Sequence, residues 1–180
     1  LSNLFNFLTG YTRPRRYHRL LPAPQHFREG LMARILRERE NARRGRPAGM
    51  ILKCNALVDP LLIQALYAAR ADGVSVDLII RGSCCLKPGI PGLSERIRVV
   101  SILDRFLEHA RVYAFQNGGD PEVLLASGDL MPRNLDHRVE IAFPLVDPAL
   151  AREVLGLLRI QLADTVKGRV LGPEGAVLRR

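Results

Sequence analysis

At 180 residues, 47% hydrophobic and 25% charged, the chain is too apolar for a disordered segment and long enough to bury a single-domain core. Its formal charge of +9, from 27 lysines and arginines against 18 aspartates and glutamates, points to a polyanionic partner and leaves nucleic acid, nucleotide, phosphate polymer and anionic lipid open. No apolar run reaches the roughly eighteen residues that cross a bilayer, and the opening LSNLFNFLTGY lacks the charged front and cleavage site of a secretory signal, so a cytoplasmic location is expected.

The chain begins at leucine with an apolar cluster, Leu4, Phe5, Phe7 and Leu8, that has no evident partner nearby, the pattern of a piece of a longer polypeptide. Residues 1–24 carry RPRRYHR among prolines and read as an irregular basic connector, with the domain proper expected over 25–180. Phe27, Leu31 and Ile35, widened by Met32 and Leu36, predict an amphipathic helix over 25–44 that Gly45 and Pro47 end. A strand over 50–54 follows. Asp59-Pro60 then supplies a cap and a first-turn proline for a helix to about Ala71, and Gly73 stops it before a strand over 74–80. A strand, helix, strand unit of this length predicts a parallel pair with a right-handed crossover. Strands are expected over 97–102, 111–115, 122–126 and 138–143, and Asp147-Pro148 repeats the cap-and-proline start for a last helix with Leu150, Val154, Leu157, Leu158 and Gln161 on one face. The fold class is α/β, a mixed sheet covered by helices.

Ligands of an open α/β sheet gather at the carboxyl ends of its strands. Arg81 ends one predicted strand and His109 precedes another, both beside glycine-rich loops. A guanidinium fork matches phosphate oxygens, and histidine gives and takes protons near neutral pH, so the pair suits phosphate chemistry. Residue by residue, a surface or structural ion pair for Arg81 and a hydrogen-bonded structural role for His109 are the default readings. The loop Lys87-Pro88-Gly89 with Pro91-Gly92 lacks P-loop spacing, although its backbone N–H groups are of a kind that approaches an anion. Cys54, Cys84 and Cys85 have no C-x-x-C spacing and read as small buried thiols; His18, His26 and His137 have no ligand spacing and read as solvated.

The runs IIRGSCCLKPGIPGLSE, FLEHARVYAFQNGGDPEV and GDLMPRNLDHRVEIAFP, with FNFLTGY, NALVDP and QLADTVKGRVL, span almost the whole chain, which in them resembles the carboxy-terminal catalytic domain of bacterial polyphosphate kinases. The resemblance implies a phospholipase D-like fold, a single domain with an N-terminal arm, one of two such domains facing each other across an ATP-binding tunnel. It implies reversible transfer of the terminal phosphate of ATP to inorganic polyphosphate through a phosphohistidine on a preceding domain, so that this chain alone is inactive. By motif, Arg81 matches an arginine that contacts the nucleotide phosphates, and His109 a second active-site histidine that contacts the nucleotide and handles a proton. Ser127, Arg133 and Asn134 stand where the phospholipase D-like superfamily places its Gly-Ser and Asn elements and are expected to line the phosphate site. The superfamily's H-x-K-x4-D is incomplete, since Arg111 replaces its lysine and Gln116 its aspartate, a departure from a self-sufficient phosphodiesterase.

Arg13, Arg15, Arg16 and Arg19 fit either a guide for a polyphosphate chain or a solvated linker. Magnesium is the implied cofactor, with no ligand set identifiable. The implied partners are ATP or ADP, polyphosphate, the remaining domains of the same enzyme and further copies of the full-length chain, with no specific nucleic acid. The implied location is cytoplasmic, attachment to the inner membrane being left open. Two rival readings are a phospholipase D-like phosphodiesterase or nuclease with His109 as nucleophile, and a non-catalytic polyanion-binding module with strongly salt-dependent binding.

Overall fold

In a computed structural model, which describes residues 2–10, 17–175 and 177–179, nine strands form one sheet in the order β1-β7-β6-β5-β2-β3-β4-β8-β9. The strands are β1 (Leu21–Pro22), β2 (Gly49–Cys54), β3 (Ser75–Ile80), β4 (Ile97–Ile102), β5 (Arg111–Phe115), β6 (Glu122–Ala126), β7 (Ile141–Pro144), β8 (Gly168–Leu171) and β9 (Val177–Arg179). The neighbours β2/β3 and β3/β4 are parallel and the other pairs antiparallel, so the sheet is mixed, as the element pattern predicts. Short α1 (Ser2–Leu8) lies within the segment read from sequence as irregular. The arginines at 13, 15 and 16 lie outside the described residues.

Helices α2 (Phe27–Arg43) and α3 (Pro60–Ala71) cover one face of the sheet, and α4 (Pro148–Ala163) covers part of the other. Alternation sorts the strands between the two layers. Met50, Leu52 and Cys54 of β2 face α2 and α3, while Ile51 packs toward α4. Phe27, Leu31 and Ile35 are buried as the period predicts, whereas Leu36, expected to widen the stripe, is half exposed. Asp59 caps α3 by accepting from the Leu62 N–H at 2.9 Å, and Asp147 caps α4 by accepting from the Ala149 N–H at 2.8 Å. Each large aliphatic side chain fully buried in these layers contributes about 1.5–3 kcal/mol.

The buried face of α4 overlaps the predicted one, with Leu158 buried, Val154 packed against the sheet and Gln161 turned to Lys53, and is shifted at the remaining positions. Ala151, Leu155, Leu158 and Leu162 face the sheet, and Leu150 and Leu157 point to solvent. Strands β8 and β9 were not predicted, because four and three residues carry no readable period and pair only because β4 offers a free edge. The cysteine expectation holds for Cys54 alone, since Cys84 is half-buried and Cys85 exposed in the loop after β3. His18 and His137 are exposed, whereas His26 is half-buried against the Tyr17 ring. Among the described residues no helix is long and apolar enough to cross a membrane.

Candidate functional site

Strands β2, β3 and β4 run in one direction, and β6, antiparallel to β5 as β5 is to β2, runs the same way. Their carboxyl ends and the amino end of β5 therefore share one edge of the sheet. Asn55 after β2, Arg81 after β3, the segment 103–110 after β4 and the segment 127–129 after β6 converge there. The register places Arg111 opposite Ala126 and Lys53 opposite Val112, which fixes how far each side chain reaches.

At the centre Arg111 clasps Asp129. Its Nε and Nη2 donate to Oδ1 and Oδ2, both at 3.0 Å, a bidentate fork. Asn55 completes the carboxylate's shell, donating its backbone N–H at 2.7 Å and Nδ2 at 3.3 Å. Burial pushes the Asp129 carboxyl up, but hydrogen bonds from Arg111 and Asn55 outweigh it and hold the group below the usual carboxylate range. Arg111 uses its remaining Nη1 on His109, contacting the ring Nδ1 and the backbone oxygen, both at 3.1 Å. Tyr113, fully buried, donates to the Gly128 oxygen at 2.7 Å and ties the 127–129 segment to the core.

On the other side of His109, Glu108 reaches inward. Lys53, a buried lysine in an otherwise apolar strand, donates Nζ to the Glu108 carboxylate and, at 3.0 Å, to Gln161 Oε1; Gln161 Nε2 donates to Glu108 at 3.0 Å. The Lys53 hydrogen bond is the main cause that lowers the Glu108 pKa. Hydrogen-bonded together, this trio anchors a segment whose neighbours Leu103, Phe106 and Leu107 are exposed.

Arg81 is placed at the same edge but is not used up by it. Its backbone N–H donates to the Cys54 oxygen at 3.4 Å, while its Nη1 is buried without a partner among the described residues. The Oδ1 of Asn55 is likewise buried and unpartnered. An orphaned buried donor costs about 1–3 kcal/mol. A cavity of about 580 Å³, lined by Gly82, Cys84 to Pro88 and residues 171–175, lies in the loop after Arg81 and is lined by neither Arg81 nor His109. Arg81 and His109 thus share an edge without touching, joined through Gly82, Asn55, Asp129 and Arg111.

The glycine-rich loop does not present its N–H groups as a cradle. Those of Gly82, Cys85, Lys87, Gly89 and Ile90 donate to Asn55, Leu57, Tyr67 and Ser94. Of the residues expected to line a phosphate site, Ser127 and Asn134 both donate to the buried Glu140 carboxylate, at 2.5 and 2.6 Å, and Arg133 is exposed with no ion pair among the described residues. Among the described residues no three histidines, cysteines or carboxylates gather to hold a metal.

Sequence reasoning missed the two anchors of His109. Lys53 carried a signal, a charge within MILKC, but its partners lie 55 and 108 positions away and no local pattern names them. Asp129 and Asn55, 74 residues apart, meet only because β2 and β6 end at the same edge.

The polyphosphate kinase C-terminal domain 2 family model matches residues 20–180. Polyphosphate kinase 1 of Chlorobaculum tepidum is 53% identical over 175 residues, 97% of this chain and 25% of that protein. The crystal structure of the polyphosphate kinase from Porphyromonas gingivalis superposes with a TM-score of 0.94 at 41% identity, covering 99% of this chain and 27% of the other. The phospholipase D family member Nuc from Salmonella typhimurium superposes with a TM-score of 0.62 at 16% identity, covering 85% and 96%, which shows that the fold is phospholipase D-like. The chain spans about a quarter of the length of the kinases it matches. Fold and sequence agree that the chain belongs to the polyphosphate kinase C-terminal domain family.

Proposed function

We propose that this chain is the carboxy-terminal catalytic domain of a polyphosphate kinase, which transfers the terminal phosphate of ATP reversibly to inorganic polyphosphate. The phosphohistidine belongs to a preceding domain, residues 1–24 are the arm that connects to it, and this domain supplies the second half of the site. The observation that carries the reading is the buried, unpartnered Nη1 of Arg81 at the carboxyl edge of the sheet, in a family named for phosphoryl transfer. Arg111, neutralised by Asp129, is not free for phosphate; Arg81 is. Phosphoryl transfer depends on positioning and charge neutralisation, which a guanidinium at the nucleotide's phosphates and an imidazole N–H beside them provide. Ser127, Arg133 and Asn134 take outer roles, Ser127 and Asn134 by holding Glu140 and with it the start of β7.

Magnesium arrives with the nucleotide in this reading, held by phosphate oxygens and by residues outside this chain. The enzyme works in the cytoplasm, with ATP or ADP, polyphosphate, its own remaining domains and further copies of itself as partners. The test is Arg81→Ala in the longer enzyme. A charge-assisted contact worth about 1.5–3 kcal/mol predicts a KM for ATP raised about 10- to 150-fold. Unchanged KM and kcat would remove Arg81 from the site and the proposal with it.

A further inference from the structure

We infer that Arg111 is a positioning residue that fixes the tautomer of His109, so that the imidazole meets its ligand as an Nε2–H donor and not as a base. The inference rests on the reading of His109 as a residue at the phosphates, and deepens it.

The argument begins with what a guanidinium does. It carries five N–H donors, no acceptor, and keeps its charge at every physiological pH. Arg111 spends Nε and Nη2 on the two oxygens of Asp129. That leaves one hydrogen of Nη2 and both of Nη1, and two acceptors stand 3.1 Å from Nη1, the backbone oxygen of His109 and its ring Nδ1. Facing a donor that cannot accept, Nδ1 must present its lone pair. A neutral imidazole has one proton, and it then resides on Nε2.

The clamp is stiff because every member is itself held. The fork fixes the plane of the guanidinium, Asn55 fixes the carboxylate, and Glu108, tied to Lys53 and Gln161, fixes the backbone immediately before the histidine. His109 is exposed, so Nε2, on the far side of the ring from the clamp, is the nitrogen left for a ligand. A ring in this state donates to a phosphate oxygen and stabilises its growing charge without giving up the proton. This is electrostatic stabilisation by a preorganised donor. A lysine at position 111, as in the superfamily pattern, has three donors on a flexible stem and lacks the planar fork that serves Asp129 and His109 together.

The test reads the tautomer directly. Long-range proton–nitrogen NMR spectra of the 180-residue chain with 15N-labelled histidine, at about pH 8.5, above the ordinary imidazole range, report which nitrogen is protonated. The chain has four histidines, and His109→Gln identifies the signal. The expected spectrum shows an unprotonated Nδ1 for His109, and Arg111→Met converts it to a mixture of both tautomers. Because that variant leaves Asp129 buried and unpaired, Arg111→Met with Asp129→Asn provides a second form in which neither charge remains. A protonated Nδ1 in the unaltered chain overturns the inference, and so does an unchanged tautomer in either variant.

Kinetics of the longer enzyme separate this from the parent reading. Arg111→Met is expected to lower kcat about 10²-fold, on the scale of a lost positioned donor, with the KM for ATP changed less than about threefold. A tenfold rise in KM at constant kcat would instead make Arg111 a phosphate ligand and refute a positioning role. Should His109→Gln retain full activity while the tautomer is as expected, the reading of His109 at the phosphates fails and the assignment of Arg111 as the clamp on its ring stands.

Discussion

Arg28 on α2 joins three elements, and removing it gives a quantitative test of what holds the edge together. Its Nε and Nη2 donate to Asp59 Oδ2 at 3.2 and 2.7 Å, and its Nη1 and Nη2 donate to the Asp136 carboxylate. The hydrogen bond to Asp136, and after it those to Asp59, drive the Arg28 pKa above its ordinary value in spite of burial. The two carboxylates differ in setting. The Asp59 side chain is 1% exposed and caps α3, while that of Asp136 is 36% exposed in the turn that carries Asn134. Arg28→Met strands a buried carboxylate, which costs about 3–5 kcal/mol; the Arg28 side chain is 22% exposed, which places the loss near 3. For a domain of this size each kcal/mol lowers Tm by about 2–4 °C, so a fall of about 6–12 °C is expected in thermal unfolding followed by circular dichroism. Asp136→Asn, at the more solvated end, costs about 1 kcal/mol or less. The Arg28→Met/Asp59→Asn double variant should be less impaired than the two single losses added, by about 1–3 kcal/mol, because the stranded charge is gone. A fall below about 3 °C for Arg28→Met, or additive losses in the cycle, would refute the reasoning that this pair is buried and coupled.

Acid should unfold the chain through its paired carboxylates. Asp136 is held below the carboxylate range by its hydrogen bonds from Arg28, and Glu122 and Asp129 by Arg34 with Arg37 and by Arg111 with Asn55, in both cases against burial. A folded pKa below the unfolded one means that the unfolded chain binds more protons, so this stability is complete above about pH 5 and lost as pH falls through the unfolded and then the lowered values. The urea midpoint should therefore drop between about pH 5 and pH 3, and a constant midpoint over that interval would contradict it. Gly82→Ala probes the approach of the loop to β2: a Cβ there meets the Asn55 backbone oxygen at 2.9 Å, and the Gly82 N–H already donates to that oxygen at 2.8 Å. The backbone must shift, at a cost of about 1–3 kcal/mol, and Arg81 moves with it, so Tm falls and KM for ATP in the longer enzyme rises. An unchanged Tm would mean that the loop yields freely.

The elements that local chemistry specifies were legible in the sequence. Asp59-Pro60 and Asp147-Pro148 announce two helix starts, because a capping carboxylate and a proline without an N–H act within one turn. Phe27, Leu31 and Ile35 name a buried face, and the alternation and length of the strand, helix, strand unit set the parallel pair β2/β3. Arg81 and His109 came from motif, since short runs around glycine-rich turns keep their residues in order. Tertiary structure alone decided that α4 turns Ala151, Leu155 and Leu162 to the sheet in place of Leu150 and Leu157, and that β8 and β9 exist at all. It also decided that Arg111 pairs with Asp129 and reaches His109. Each of these depends on a partner many residues away. A side chain's charge is written in the sequence, but whether that charge is spent or available is set by what the fold brings within 3 Å of it.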